Sequence, residues 1–234
     1  MDFYCKGFAL SHSKSTMKVG TDAILVSALL PDIEPKNILD VGCGCGIIAL
    51  CAAQRYSQAY VTAIDIDEDS IDEAQINFAA SKFKERLTAI NISLQDYAAR
   101  ADHKYDLIVS NPPFFENSLL SKHIKRNISR HNITLSLEDF AECTSSLLSS
   151  GGRIAIILPA QETSKFITIA NEFHLFCESQ KFVFDTANKP CKRIVSLLVK
   201  GNQPLQTDIE NIIIRNQDLT KTKQYTDLVN HILL

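Results

Sequence analysis

From residue 36 onward, short apolar runs alternate with longer segments in which apolar residues recur at helical spacing. The short runs are typical of buried strands, whereas the spacing of Ile71, Ala74 and Phe78 is typical of a helix that buries one face. Seven strands are predicted, at residues 38–41, 60–65, 88–92, 105–110, 153–158, 175–184 and 193–199. Helices are predicted at residues 47–56, from 67 onward, at 137–148 and at 164–173, and Gly151-Gly152 is expected to stop the third.

This alternation favours an α/β fold, a mostly parallel Rossmann-like sheet of seven strands with helices on both faces. No helix-length segment separates the last two strands, so they should pair as antiparallel neighbours. One domain is expected, with an N-terminal capping segment (1–35), the core (36–200) and a C-terminal extension (201–234). Within the extension, residues 209–214 are expected to add a strand and residues 226–234 to form a closing helix. Ligands of such sheets bind beyond the carboxyl ends of the strands.

Composition narrows the class of protein. Of the 234 residues, 24 are Lys or Arg and 27 are Asp or Glu, a net charge of −3. This balance excludes a wholly basic nucleic-acid-binding protein but permits an enzyme with a local basic surface. The seven cysteines are scattered, and neither a signal-like start nor a membrane-length apolar run is present. We therefore expect a cytoplasmic protein with reduced thiols and no membrane association. Cys43-Gly44-Cys45 suggests either a metal ligand pair or, more simply, small core thiols.

A glycine-rich turn joins the first predicted strand to the first helix of the core. Gly42, Gly44 and Gly46 permit positive φ angles and a close approach of a ligand to the backbone, and the helix start that follows offers free N–H groups. Asp65 ends the next strand, where a carboxylate accepts the hydroxyl protons of a ribose. The turn therefore indicates a nucleoside cofactor; the alternative is a purely structural turn beside a surface carboxylate.

The spacing of the turn distinguishes between nucleoside cofactors. It reads G-x-G-x-G, and Ile47 occupies the place where the dinucleotide fingerprint has its third small residue. Asp40, just before the turn, suits a cationic ligand such as S-adenosylmethionine (SAM). Motif and spacing resemble the class I SAM-dependent methyltransferases. By that resemblance Asp65 holds the ribose, and Asp96 either contacts the adenine amine or is a loop residue.

The tetrapeptide Asn111-Pro112-Pro113-Phe114 follows the fourth predicted strand. Consecutive prolines fix the backbone and remove two N–H donors, so the Asn111 amide oxygen and the Pro112 carbonyl can face outward as acceptors. Two acceptors match a planar –NH2 group, and Phe114 offers a flat face for stacking a base. Such a turn favours methyl transfer to a conjugated amine by positioning, without a strong base. The alternative is a rigid turn with a buried phenylalanine.

More of the chain resembles one family. Phe3-Tyr4-Cys5-Lys6, Met17-Lys18-Val19-Gly20-Thr21-Asp22, the Asn-Pro-Pro-Phe turn, Arg130-His131, Leu158-Pro159 and Arg193 stand in the order found in the bacterial adenine-N6 methyltransferases of valine tRNA. The resemblance implies SAM as cofactor and, as substrate, the adenine just 3′ of the anticodon. It also implies that Lys18, Thr21 and Asp22 line the amino-acid end of the cofactor; the alternative is that Thr21 or Asp22 caps the following helix.

A basic stretch follows the candidate catalytic turn. Residues 117–137 contain no acidic side chain and hold Lys122, Lys125, Arg126, Arg130 and His131. These cations are expected to bind phosphates of the anticodon loop while the target base is splayed out, and the alternative is a solvated charge run. A second basic edge is expected in the N-terminal segment, from Lys6, His12, Lys14 and Lys18. No obligate protein partner and no resident metal are inferred.

Other functions remain open at this stage. The Asn-Pro-Pro-Phe turn also suits guanine N2 of ribosomal RNA or the N5 atom of a protein glutamine. An NAD(P)-dependent oxidoreductase would need a different glycine spacing from the one around Ile47. A non-catalytic RNA-binding module on the same fold would not need Asn111.

Overall fold

The computed structural model of the protein describes residues 2–15, 18–112 and 135–234. The strands within these ranges are β1 (Asp2–Cys5), β2 (Phe8–Ser11), β3 (Asn37–Val41), β4 (Tyr60–Asp65), β5 (Leu87–Asn91), β6 (Tyr105–Ser110), β7 (Leu148–Pro159), β8 (Leu175–Phe184), β9 (Arg193–Lys200) and β10 (Asp208–Ile213). The helices are α1 (Thr21–Ala28), α2 (Ile47–Arg55), α3 (Glu68–Ala80), α4 (Leu94–Arg100), α5 (Leu137–Leu147), α6 (Ala160–Glu172) and α7 (Lys223–Val229), with a 3-10 turn at Lys84–Arg86. No helix in these ranges is long and apolar enough to cross a membrane.

The central sheet has the strand order β10-β8-β9-β7-β6-β3-β4-β5. Strands β5, β4, β3, β6 and β7 run parallel, and β9 is antiparallel to both β7 and β8. The predicted α/β class, the mainly parallel sheet and the antiparallel last pair are therefore confirmed. Within the described residues this sheet has eight strands rather than seven, because β10, the strand expected in the C-terminal extension, pairs parallel with β8.

Helices cover both faces of the sheet, as expected. Side chains alternate along each buried strand, so that Ile38 and Leu107 pack against α1, α2 and α3, while Leu39 and Ile108 pack against α4, α5 and α6. The strands read as continuous apolar runs because both faces are covered.

The glycines at 151 and 152 do not end a helix, contrary to the prediction. Helix α5 ends at Leu147, and β7 begins at the next residue. Gly151 has a φ of 74°, and a Cβ on Gly152 would lie 3.0 Å from the Tyr105 carbonyl oxygen. Both glycines fit the bulge where the pairing of β6 with β7 shifts register between Tyr105 and Leu107.

The two ends of the described chain differ from the predictions in detail. The expected strand at 209–214 is present as β10, but the closing helix is α7 at Lys223–Val229, because the Thr222 hydroxyl accepts the Tyr225 N–H and starts the helix earlier. Strands β1 and β2 form a separate antiparallel hairpin that the sequence pattern did not indicate.

Candidate active site

The carboxyl ends of β6, β3 and β4 lie side by side at one edge of the sheet, namely the edge formed by the C-terminal ends of its parallel strands. Val41 pairs with Ser110 on one side and with Ile64 on the other. Gly42 and Asn111 therefore begin neighbouring connections at this edge, and Asp65 lies on the next strand. The Ser110 hydroxyl donates a hydrogen bond of 2.7 Å to the Val41 carbonyl, which joins the two strand ends directly.

The glycine turn takes a backbone conformation that other residues avoid. Gly42, Gly44 and Gly46 have φ angles of 71°, 52° and 83°. A Cβ on Gly46 would lie 2.5 Å from the Phe78 ring, so this glycine allows α2 to pack against α3. A Cβ on Gly44 would meet no described atom within 4 Å, so the turn presents an open backbone surface there.

Asp65 lies at the end of β4 with its carboxylate against this turn. Its Oδ2 accepts the Gly44 N–H at 2.9 Å, and its Oδ1 accepts the Asp67 N–H at 3.0 Å. Burial raises the pKa of Asp65 above its usual value, while the Asp67 and Gly44 N–H groups act in the opposite direction. Each oxygen has a further lone pair for an additional donor.

Asp40 lies below the turn rather than at its surface. The side chain is 1% exposed, and its Oδ2 accepts the Ala49 N–H in the first turn of α2 at 3.0 Å. Its Oδ1 has no hydrogen-bond partner among the described atoms. Burial raises the pKa of Asp40 to about 7, and the negative charge of Asp65 adds to this effect.

The two cysteines of the turn are core residues. Cys43 and Cys45 are free thiols, 3% and 2% exposed, and pack with Ile47 and Phe78. Burial raises the pKa of both thiols, that of Cys45 to about 11, so both are neutral near pH 7. Among the described residues, no group of three His, Cys, Asp or Glu side chains could hold a metal ion.

Asp96 is neither buried nor in an irregular loop. It is an exposed residue in the first turn of α4, where its backbone N–H donates to the Ser93 hydroxyl and its carboxylate accepts from that hydroxyl at 2.7 Å. Asp96 therefore lies in a helix rather than a loop, and its contact with the adenine amine stays a prediction. Asn91, at the end of β5, lies beside the end of β4, since its side chain donates to the Asp65 carbonyl at 3.0 Å.

Lys18, Thr21 and Asp22 surround the start of α1. Gly20 is the N-cap residue and no side chain of the described residues caps the helix, so the interpretation of Thr21 or Asp22 as a cap is wrong. Asp22 instead binds the Arg193 guanidinium, with Oδ2 to Nε at 2.8 Å, at the edge of the sheet that holds the glycine turn. The Lys18 ammonium donates to the backbone carbonyls of His12 and Ser13.

Sequence reasoning missed two polar residues on α3. Buried Glu73 accepts the N–H groups of Ser13, Lys14 and Ser15, and Asn77 exchanges hydrogen bonds with the backbone of Ser11. The Asn77 amide also donates to the Cys45 carbonyl at 2.8 Å, so α3 connects residues 11–15 to the glycine turn.

A signal for these two residues exists in the sequence. Glu73 and Asn77 are four residues apart and adjoin the apolar face that carries Ala74 and Phe78. Burial alone would raise the pKa of Glu73, but the Ser15, Lys14 and Ser13 donors outweigh it and lower that pKa to about 2.

The remaining predicted site residues divide into two groups. Asn111 and Pro112 are partly buried at the end of β6. The other group lies outside the described residues: Pro113, Phe114, Lys122, Lys125, Arg126, Arg130 and His131.

Comparison with known proteins adds to this geometry. Residues 11–183 match the family model described as methyltransferase small domain. A tRNA1(Val) (adenine(37)-N6)-methyltransferase of Flavobacterium psychrophilum is 34% identical over 227 residues, which cover 97% of this chain and 96% of that protein. A protein of the same name from Parabacteroides distasonis is 43% identical over 82% of this chain and 81% of its own length.

The fold also has relatives among solved structures. A predicted O-methyltransferase from Agrobacterium tumefaciens superposes with a TM-score of 0.71 over 90% of this chain and 96% of that chain. The two sequences are 17% identical, so this likeness shows the fold alone.

Proposed function

Because the chain belongs to the methyltransferase small domain family and to the family of tRNA1(Val) (adenine(37)-N6)-methyltransferases, we propose that it methylates N6 of adenine 37 in that tRNA with SAM as methyl donor. The observation that carries the proposal is the adjacency of Gly42 and Asn111 on paired strand ends. This arrangement brings a nucleoside-binding turn and an acceptor for an amine to the same edge of the sheet.

The described residues fit SAM. The backbone at Gly44 is open to a ligand, and Asp65 retains lone pairs for the two ribose hydroxyls after its bonds to Gly44 and Asp67. A buried carboxylate such as Asp40, with one oxygen unpartnered, favours positive charge nearby. When bound, SAM supplies an electrophilic methyl group on a sulfonium.

The proposed role of Asn111 is to orient the amine. Its amide oxygen would accept a hydrogen bond from one N–H of the exocyclic nitrogen, and the Pro112 carbonyl would accept one from the other. Pro112 suits this role because it has no N–H donor and its ring restricts φ, which holds the carbonyl in a fixed direction. Two acceptors that hold both amine hydrogens out of the plane of the base make the nitrogen more tetrahedral. Its lone pair can then point toward the methyl group. Positioning of this kind supplies much of the rate enhancement. After the transfer the nitrogen carries a positive charge and is strongly acidic, so it loses one proton to solvent water and needs no strong general base. Pro113 and Phe114 would complete the turn and stack the adenine.

Two groups are proposed to complete the site. Lys18, Thr21 and Asp22 would line the amino-acid end of the cofactor, and the Arg193–Asp22 ion pair would fix the start of α1 there. Asp96 would face the adenine end from the first turn of α4. The basic residues between 117 and 137 would bind phosphates of the anticodon loop.

The test is transfer of a tritiated methyl group to purified tRNA1(Val), followed by nucleoside analysis. Asn111→Ala should reduce the rate about 10²-fold or more while leaving SAM affinity close to that of the wild type, because the lost contact acts on the amine. Asn202→Ala, an exposed asparagine at the opposite edge of the sheet, is the matched control and should retain full activity.

Three outcomes would contradict the proposal. In parallel assays with ribosomal RNA and protein substrates, methylation of guanine N2 or of a protein glutamine in place of tRNA adenine would assign another amine. A thermal shift with NAD and none with SAM would assign an oxidoreductase. Full methyl transfer by Asn111→Ala would refute the role of the amide.

A further inference from the structure

The loop of one hairpin lies at the same edge as the glycine turn but outside the proposed site. Strands β8 and β9 are joined by residues 185–192, and Phe184 and Arg193 end and begin these strands at the edge where β7 ends in Pro159. Three strand spacings of about 4.8 Å separate β8 from β6, so the hairpin lies about 14 Å from Asn111 along this edge.

Two cations bind one carboxylate on this hairpin, and Lys192 is a third cation on the same connecting loop. The Lys189 ammonium lies 2.7 Å from Asp185 Oδ2, and Arg215 Nε lies 3.5 Å from Asp185 Oδ1. The hydrogen bond from Lys189 holds the pKa of Asp185 below its usual value, and the charges of Lys189, Arg215 and Lys192 act in the same direction. One acid among three bases leaves a local excess of two positive charges in a chain whose net charge is −3.

The cluster is both accessible and held in place. Lys189 and Arg215 side chains are 51% and 42% exposed, and Lys192 is exposed. The Lys192 carbonyl accepts the Ala160 N–H at 3.1 Å at the end of β7, and the Arg215 N–H donates to the Asp185 carbonyl at 2.8 Å. The hairpin loop is thus bound to the start of α6 on one side and to the segment after β10 on the other.

We propose that Lys189, Lys192 and Arg215 form a phosphate-binding cluster that contacts the tRNA backbone while the target adenine lies at Asn111. The inference rests on the proposed function and extends it to residues of the hairpin and of the segment after β10. Lysine and arginine suit phosphate oxygens, and phosphate contacts fix the register of an RNA on a protein. Asp185 binds Lys189 and Arg215 and so keeps their side chains ordered, but it neutralises only one of the three positive charges. Because the whole chain is negative, attraction of RNA depends on such local clusters.

The test compares two triple variants in tRNA filter binding over a range of salt concentrations. The variant K189A/K192A/R215A should bind tRNA about tenfold or more weakly near 0.1 M salt, and the slope of log affinity against log salt should become shallower by about 2. The control K36A/K84A/K104A removes three exposed lysines that lie away from this edge and should bind like the wild type. SAM binding, the melting temperature and kcat at saturating tRNA should stay unchanged in both variants, while KM for tRNA should rise only in the first.

The outcomes separate the two proposals. If the wild type methylates tRNA adenine but K189A/K192A/R215A keeps its tRNA affinity and salt slope, the cluster proposal is overturned and the proposed function stands. Equal losses in both triple variants would also overturn it, since the effect would then come from net charge alone. Failure of the wild type to bind or methylate tRNA would refute the proposed function itself.

Discussion

At the residue scale, Asp40 combines two properties that oppose each other. Its carboxylate accepts the Ala49 N–H and so stabilises the start of α2, but its second oxygen is buried without a described partner. A charge in this position favours a cationic ligand and weakens the protein in the absence of one. The residue therefore couples the stability of the free protein to pH.

Replacing Asp40 by Asn should show how much stability the free protein loses when this buried carboxylate is charged. The folded-state pKa of about 7 lies above the unfolded value near 3.9, so the folded state retains a proton that the unfolded state has lost, and the free energy of unfolding falls as pH rises between about 4 and 7. Without SAM, Asp40→Asn should remove this fall and be more stable than the wild type at pH 8, by at most about 4 kcal/mol.

Urea unfolding at a series of pH values measures the effect. Asp72→Asn, which changes an exposed carboxylate on α3, is the control and should keep the wild-type pH dependence. Parallel curves for Asp40→Asn and the wild type would contradict the expectation.

At the scale of the elements, α3 positions the N-terminal segment. Glu73 and Asn77 connect residues 11–15 to the glycine turn, and this segment leads to Lys18 and the start of α1. The helix thus aligns two parts of the proposed cofactor site that are far apart in sequence.

Glu73→Gln should loosen that alignment. The pKa of Glu73 is about 2 in the folded state and about 4.3 when unfolded, so its contribution to stability is present above about pH 4 and is lost as pH falls toward 2. At pH 7 the variant should lose on the order of 3 kcal/mol of stability and bind SAM more weakly.

Chemical denaturation and SAM titration measure the two effects, and hydrogen exchange should accelerate at residues 11–15. The exposed Glu85→Gln provides the comparison and should change neither quantity. A Glu73→Gln protein with normal exchange in this segment would show that the contact is dispensable.

Elements with strong local signals could be predicted from the sequence, and those set by distant contacts could not. Strands β4 and β6 have the predicted bounds because both are apolar runs between polar turns. Only residues 153–158 of β7 were predicted as strand, because the bulge that Gly151 and Gly152 fit opposite Tyr105 is not visible in any local sequence pattern. In the same way, the ion pair between Asp22 and Arg193 joins residues 171 positions apart.

At the scale of the whole molecule, the two ends of the described chain meet. The Lys6 N–H donates to the Ile232 carbonyl at 2.7 Å, and its ammonium donates to the Asn230 side chain at 2.9 Å. Cys5 also forms an antiparallel bridge with Leu233. Residues 230–234 therefore support the β1–β2 hairpin, which would be marginal as a separate two-stranded unit.

Removing residues 230–234 should release the hairpin while the central sheet stays folded. We expect faster amide exchange at residues 2–11 and a several-fold loss of SAM affinity, because the segment at 11–15 continues from this hairpin. Hydrogen exchange with mass spectrometry and a SAM titration measure both. Removal of Leu234 alone, whose side chain is 84% exposed, is the control. Unchanged exchange at residues 2–11 in the longer deletion would contradict this role.

The hydrogen bond from Ser110 to the Val41 carbonyl has a consequence for redesign. Since it joins adjacent strand ends, the offset between the loops after β3 and β6 is a property of the sheet scaffold, set by one interstrand spacing of about 4.8 Å. An engineer who exchanges the residues after Ser110 to accept another nucleophile can therefore leave the nucleoside pocket untouched. Altering the twist between these two strands would instead displace both halves of the reaction centre together.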